Sequence, residues 1–139
     1  MTGAPGFAGV DRRSGEGIVR VVLGEDESLL RRQLLLALEA HPRIEVLAEV
    51  IDTDMLVQAV QGGLPDVVVL DARFPPAGIL EAVVALRAVL PVVAVVVITD
   101  AGLDAPAMPD LVEVPRQEAG VVLAATVVAV ADGQAPPGR

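Results

Sequence analysis

A chain of 139 residues, 53% of them hydrophobic, holds one domain of ordinary size with ample material for a layered core, and has no space for a second folded domain. A net charge of −9, ten arginines without a single lysine, and the lack of Trp and Tyr disfavour a binder of nucleic-acid backbones or stacked bases. With no cysteine there can be no disulfide, thiolate nucleophile or zinc–cysteine site, which fits a cytoplasmic protein.

In chain order, residues 1–17 show no period, carry no secretory pattern and read as a disordered tail. Ile18 to Leu23 reads as a strand, and Glu27 to Ala40 as a helix with Leu30, Leu34 and Leu38 on one face, ended by His41-Pro42. Ile44 to Val50 alternates apolar and polar residues, as an edge strand does. By contrast Val67 to Leu70 and Val92 to Ile98 are continuously apolar, as strands covered on both faces are. Helical patterns occupy Thr53 to Gln61, Ile79 to Leu90 and Gln117 to Ala131, and Leu111 to Val114 is a short last strand. Gly62-Gly63 and Gly102 read as turn residues. The stretch Ala82 to Ile98 is broken by Arg87 and Pro91 and is a helix followed by a strand, not a membrane span. Residues 134–139 read as a second disordered tail, leaving 18–133 as one domain of alternating strands and helices. Right-handed crossovers turn such an alternation into a doubly wound parallel α/β sheet.

Ligands of open parallel sheets gather outside the carboxyl ends of the strands. There this chain places Glu25-Asp26-Glu27, Asp71-Ala72-Arg73, Thr99-Asp100 and, near the last strand, Arg116. Glu25, Asp26 and Asp71 could converge on one point. Three carboxylates so close repel one another unless a cation sits among them, and hard oxygen ligands suit Mg²⁺. Glu25 to Glu27 could equally be first-turn acids favoured by a helix dipole, Thr99 a capping hydroxyl, and Arg116 a solvated charge. His41 lies away from the strand ends and reads as structural, which disfavours a catalytic triad or a His-ligated metal.

The spans Val21-Val22-Leu23-Gly24-Glu25-Asp26-Glu27, Pro65 to Pro75 and Val95-Val96-Val97-Ile98-Thr99 resemble the successive motifs of response-regulator receiver domains, in the NarL-like subfamily. The resemblance covers roughly residues 18–133. It implies a flavodoxin-like five-stranded sheet of order 2-1-3-4-5, with Asp71 as the phosphorylated aspartate. It also implies Mg²⁺ held by Glu25, Asp26, Asp71 and the main-chain carbonyl of Arg73, and Thr99 as the hydroxyl that follows the phosphoryl group. A histidine kinase and a protein output partner are the implied partners, with neither direct nucleic-acid binding nor a membrane.

Departures cluster on the output side. Arg116 stands where the family has a lysine that pairs with the phosphoryl oxygens, and so is the implied phosphate contact, while Asp100 stands where it has a small residue and Glu113 where it has a switch aromatic. Ala105 to Pro109 opposes a regular helix, so a shortened or missing fourth helix is expected. The last helix carries no charge from Ala119 to Ala131. Its Val121, Val122, Leu123, Val127, Val128 and Val130 spread around the circumference and are expected to form an interface, by preference a homodimer. Two functions follow: a non-enzymatic signalling receiver phosphorylated at Asp71 that controls a partner or its own dimerisation, or a pseudo-receiver acting as a phosphorylation-independent interaction or ligand-responsive module.

Overall fold

The computed structural model describes residues 17–74, 78–100 and 111–133. Strand β1 (Val19–Gly24) is followed by α1 (Ser28–Glu39), β2 (Ile44–Val50), α2 (Thr53–Gly63), β3 (Val67–Asp71), α3 (Ile79–Val89), β4 (Ala94–Thr99), β5 (Leu111–Pro115) and α4 (Ala119–Ala131), with a 3₁₀ turn at Arg116–Glu118. The strands form one sheet in the order β2-β1-β3-β4-β5, all pairs parallel. This is the flavodoxin-like order that the resemblance to receiver domains implied. Residues 1–16 of the first expected tail, the second tail, Gly102 and the expected irregularity at residues 105–109 lie outside the described residues, whereas Gly17, counted with the first tail, is buried and accepts from Arg43.

The continuous apolar runs have a simple cause. Side chains of a strand alternate between faces, so a strand covered on both sides needs apolar residues at every position. Val67 and Val69 of β3, with Val96 and Ile98 of β4, join Val21, Leu23, Leu34, Leu38, Leu123 and Val127 in one core layer. Their neighbours Val68, Leu70, Val95 and Val97 join Val22, Leu56, Val60, Phe74, Val83 and Leu86 in the other. Helices α1 and α4 cover the first layer, α2 and α3 the second. The edge strand β2 is less deeply buried and keeps Glu45 and Glu49 exposed, which accounts for its alternating pattern.

Two expectations change. Gly62 and Gly63 remain in the last turn of α2, and the left-handed residue that ends the helix is Leu64, at φ 49°. At Gly63 the missing side chain serves a close approach, since a Cβ there would come within 2.9 Å of Leu47 Cδ1. The interface expected on the last helix is also revised: Leu123 and Val127 are fully buried in the domain's own core, and Val122, Val128 and Val130 pack partly against it. The helix lacks a charged face because it is wedged between α1 and strands β3, β4 and β5, while its open side holds Gly120 and Ala125 with Val121, which is 87% exposed. Among the described residues no helix is long and apolar enough to cross a membrane.

Candidate functional site

At the carboxyl end of the sheet, β1 runs out at Gly24 and delivers Glu25 beside the end of β3, where Asp71 stands in register with Ile98 of β4. Gly24 is required by crowding: a Cβ there would lie 2.6 Å from Leu70 Cδ2 and 3.1 Å from the buried ring of Phe74. That ring belongs to the core layer under Gly24. Glu25 and Asp71 are almost completely buried, at 2% and 1% exposure, whereas Asp26 is exposed. A cleft of about 380 Å³ is lined by Glu25, Asp26, Glu27, Asp71 and Arg73.

Each oxygen of Asp71 has a donor. The Arg73 amide donates to Oδ1 at 2.7 Å and the Arg116 guanidinium donates through Nη1 to Oδ2 at 2.5 Å. Burial pushes the Asp71 carboxyl up, but Arg116, a hydrogen bond shared with Glu25 and the Arg73 amide outweigh it and hold the group below the usual carboxylate range. Glu25 goes the other way. Burial first, then its approach to Asp71, push its carboxyl up to about 7, against the Glu27 amide that donates to Oε2 at 3.0 Å. A protonated Glu25 can donate to Asp71; once both are ionised, Glu25 Oε1 is buried with no hydrogen-bond partner.

Arg116 resolves one alternative that the sequence left open, since it is part of the site and not a solvated surface charge. It starts the 3₁₀ turn directly after β5. Its Nε donates to Asp100 Oδ1 and its Nη1 to Asp71, while its Nη2 is buried without a partner. Arg73, whose side chain is 60% exposed, lies 3.6 Å from Asp71 Oδ1 and 3.7 Å from Asp100 Oδ2 through Nε. Thr99, at 7% exposure, ends β4 beside this cluster. Glu113 is exposed on β5. His41 is structural, its Nδ1 accepting from the Arg43 amide.

The three-carboxylate cup expected from the sequence is therefore only partly assembled. Glu25 and Asp71 meet, Asp26 lines the same cleft from an exposed position, and among the described residues no three acidic or histidine side chains are arranged as a ready metal cage. Arg116 already supplies part of the positive charge that an ion would bring. A divalent cation still fits the donor set, because the orphaned Glu25 oxygen is a buried acceptor with nothing to accept from. Sequence reasoning noted Asp100 as a departure but missed its role as the partner of Arg116.

The fold and site define a doubly wound α/β protein with an acidic strand-end cleft. No family model matches the chain. The likeness to solved structures is nonetheless specific: the signal receiver domain of the putative response regulator NarL from Mycobacterium tuberculosis is 27% identical, with a TM-score of 0.67, over 85% of this chain and 99% of that one. A LuxR-family two-component response regulator from Aurantimonas sp. has a TM-score of 0.77 at 22% identity, covering 87% and 91% of the two chains. The response regulator domain of Thermotoga maritima CheB has a TM-score of 0.62 at 19% identity, covering 84% and 90%. A protein-glutamate methylesterase/protein-glutamine glutaminase of Azospirillum brasilense is 39% identical over 83 residues, 60% of this chain but only 21% of the relative, so the chain spans about a fifth of that protein. The domain has the fold of a response-regulator receiver, in agreement with the motifs at the strand ends.

Proposed function

We propose that this receiver takes a phosphoryl group on Asp71 and through it controls a protein partner. The observation that carries the reading is the state of Asp71: a buried carboxylate kept ionised by Arg116, at the base of an open cleft, beside a glutamate oxygen that lacks a partner. An ionised carboxylate is the nucleophile that acyl phosphate formation needs. An Asp71 oxygen attacks phosphorus, the O–P bond forms, and the P–N bond of a kinase phosphohistidine or the P–O bond of a small acyl phosphate breaks. The electron pair of the broken bond leaves with the donor, as the carboxylate of the acyl phosphate or as the neutral imidazole of a phosphohistidine whose other ring nitrogen already carries a proton; no proton comes from Asp71, which is ionised. Glu25, Asp26, Asp71 and the carbonyl of Arg73 would hold Mg²⁺, whose chemistry here is to neutralise charge on the transferred group. Thr99 ends β4, and on this reading its hydroxyl follows the phosphoryl oxygens. In this reading the domain acts in the cytoplasm with a histidine kinase and an output protein and is not itself an enzyme; the methylesterase activity belongs to the Azospirillum relative.

A second reading is favoured by one feature: Arg116 already neutralises Asp71 and ties it to Asp100, as a pseudo-receiver locked in one conformation would require. Acetyl phosphate with Mg²⁺, followed by intact mass, separates the two. A mass gain of one phosphoryl group that Asp71→Asn abolishes supports the receiver, and no adduct together with no Mg²⁺ response leaves the interaction module. Sedimentation of the same samples reports self-association. The last helix offers a second copy only Val121 and the margins of Val122, Val128 and Val130, little beside the roughly 800 Å² per partner of a stable interface, so a transient contact is expected. A dimer that persists on dilution overturns this.

A further inference from the structure

Asp71, Arg116, Asp100 and Arg73 alternate in charge around a closed circuit. Arg116 Nη1 meets Asp71 Oδ2, Arg116 Nε meets Asp100 Oδ1, and Arg73 Nε lies 3.7 Å from Asp100 Oδ2 and 3.6 Å from Asp71 Oδ1. The Arg116 half is tight and largely covered, while the Arg73 half is loose and solvent-exposed. Stability of the circuit therefore rests on Arg116.

The strand order explains why Arg116 needs help. Arg116 follows β5 and Asp71 ends β3, with β4 between them. Two strand spacings are roughly 10 Å, so the side chain must cross the end of β4 in an extended form. Asp100 follows directly after Thr99, the last residue of β4, which pairs with Pro115, and thus stands beside Arg116 just past the end of the intervening strand. A carboxylate at that point fixes Nε midway. A guanidinium can serve two carboxylates through different edges, which a lysine's single ammonium cannot do with the same geometry. With Nε on Asp100 and Nη1 on Asp71, the buried and unpartnered Nη2 is the donor left for another anion.

We propose that Asp100 is the positioning residue for Arg116, and that the two form a matched pair holding one guanidinium on the acceptor carboxylate with Nη2 free for a phosphoryl oxygen. The proposal rests on the reading of Asp71 as the phosphoryl acceptor. It predicts that either partner changed alone is worse than both changed together.

The test is a double-mutant cycle of Asp100→Ala and Arg116→Lys in the full chain, read in two ways: the initial rate of phosphorylation by acetyl phosphate with Mg²⁺, and the urea midpoint. Arg116→Lys should slow phosphorylation roughly tenfold, because the ammonium is shared between two carboxylates, and Asp100→Ala should slow it several-fold through loss of the Nε anchor. The double variant, with a lysine facing Asp71 alone, should recover to near the wild-type rate. Asp100→Asn, which keeps the acceptor and loses the charge, should fall between the wild type and Asp100→Ala. Additive losses, or a faster rate in Asp100→Ala, overturn the pairing. Should the wild type take no phosphoryl group, the acceptor reading fails by itself. The urea cycle then still decides the pairing: a coupling between the two sites supports it, and additivity overturns it.

Discussion

The two ends of the sheet handle charge in opposite ways. At the amino end, Arg43 ahead of β2 makes two hydrogen bonds to Asp132 past α4, at 2.9 and 3.0 Å, and donates through Nε to the Gly17 carbonyl. Asp66 ahead of β3 accepts from the Arg20 amide at 2.9 Å. At the carboxyl end, Glu25 Oε1 and Arg116 Nη2 are buried without partners among the described residues. Buried polar groups are nearly always satisfied, so the two orphans mark the end whose arrangement is completed by something else. One end clamps the fold and the other is kept chemically open.

The largest effect expected from breaking that contrast is at Glu25. Its carboxyl is raised from 4.5 to about 7 by burial and by Asp71, so folding favours the protonated form. The stability it contributes is fully present below pH 4.5 and is lost as pH rises through about 7, a change of up to about 3 kcal/mol. Asp71, held low, works in the opposite sense, losing its contribution as pH falls below the ordinary aspartate range. Urea midpoints between pH 5 and pH 8 should therefore drop in the wild type and stay nearly flat in Glu25→Gln. Mg²⁺ should restore the wild type at pH 8 and leave Glu25→Gln almost unmoved. A flat wild-type profile would mean that Glu25 is not strained.

Gly24→Ala comes next. The added methyl meets Leu70 Cδ2 at 2.6 Å and the Phe74 ring at 3.1 Å, and both side chains are fully buried. Leu70 can turn its methyl only into packed core, so a loss of ~1–3 kcal/mol is expected. Thermal unfolding checks it, and a variant as stable as the wild type would show that the core packed against Gly24 can yield.

How far each end could be read from sequence follows the same division. The strands were legible because Val67 to Leu70 and Val92 to Ile98 are unbroken apolar runs, although the second overshoots its strand, since β4 begins at Ala94 and Val92 is 90% exposed. Glu25 and Asp71 were legible because strand ends follow directly once strands are placed. The pairing of Asp100 with Arg116 was not legible. Fifteen positions separate the two in sequence, and only the β4–β5 register, with Thr99 opposite Pro115, brings them together. The last helix misled for a related reason: a charge-free sequence cannot distinguish a helix awaiting a partner from one already covered by α1 and three strands, as Leu123 and Val127 are.

The smallest effect belongs to the satisfied end. The Asp132 side chain is 6% exposed and that of Arg43 17%, and the guanidinium holds the Asp132 carboxyl below the usual range. Asp132→Asn keeps the shape and one acceptor but loses the charge, and an amide NH₂ faces one of the two donors. Arg43 retains its bond to the Gly17 carbonyl and can still donate to the amide oxygen, which limits the cost to about 1 kcal/mol. That contribution is present above the ordinary aspartate range and is lost as pH falls through the lowered value, so wild type and Asp132→Asn should converge in acid and differ at neutral pH. Phosphorylation by acetyl phosphate should be unchanged, because the clamp lies at the opposite end of the sheet from Asp71. A variant that unfolds at the wild-type midpoint yet phosphorylates at a different rate would join the two ends and remove the distinction between them.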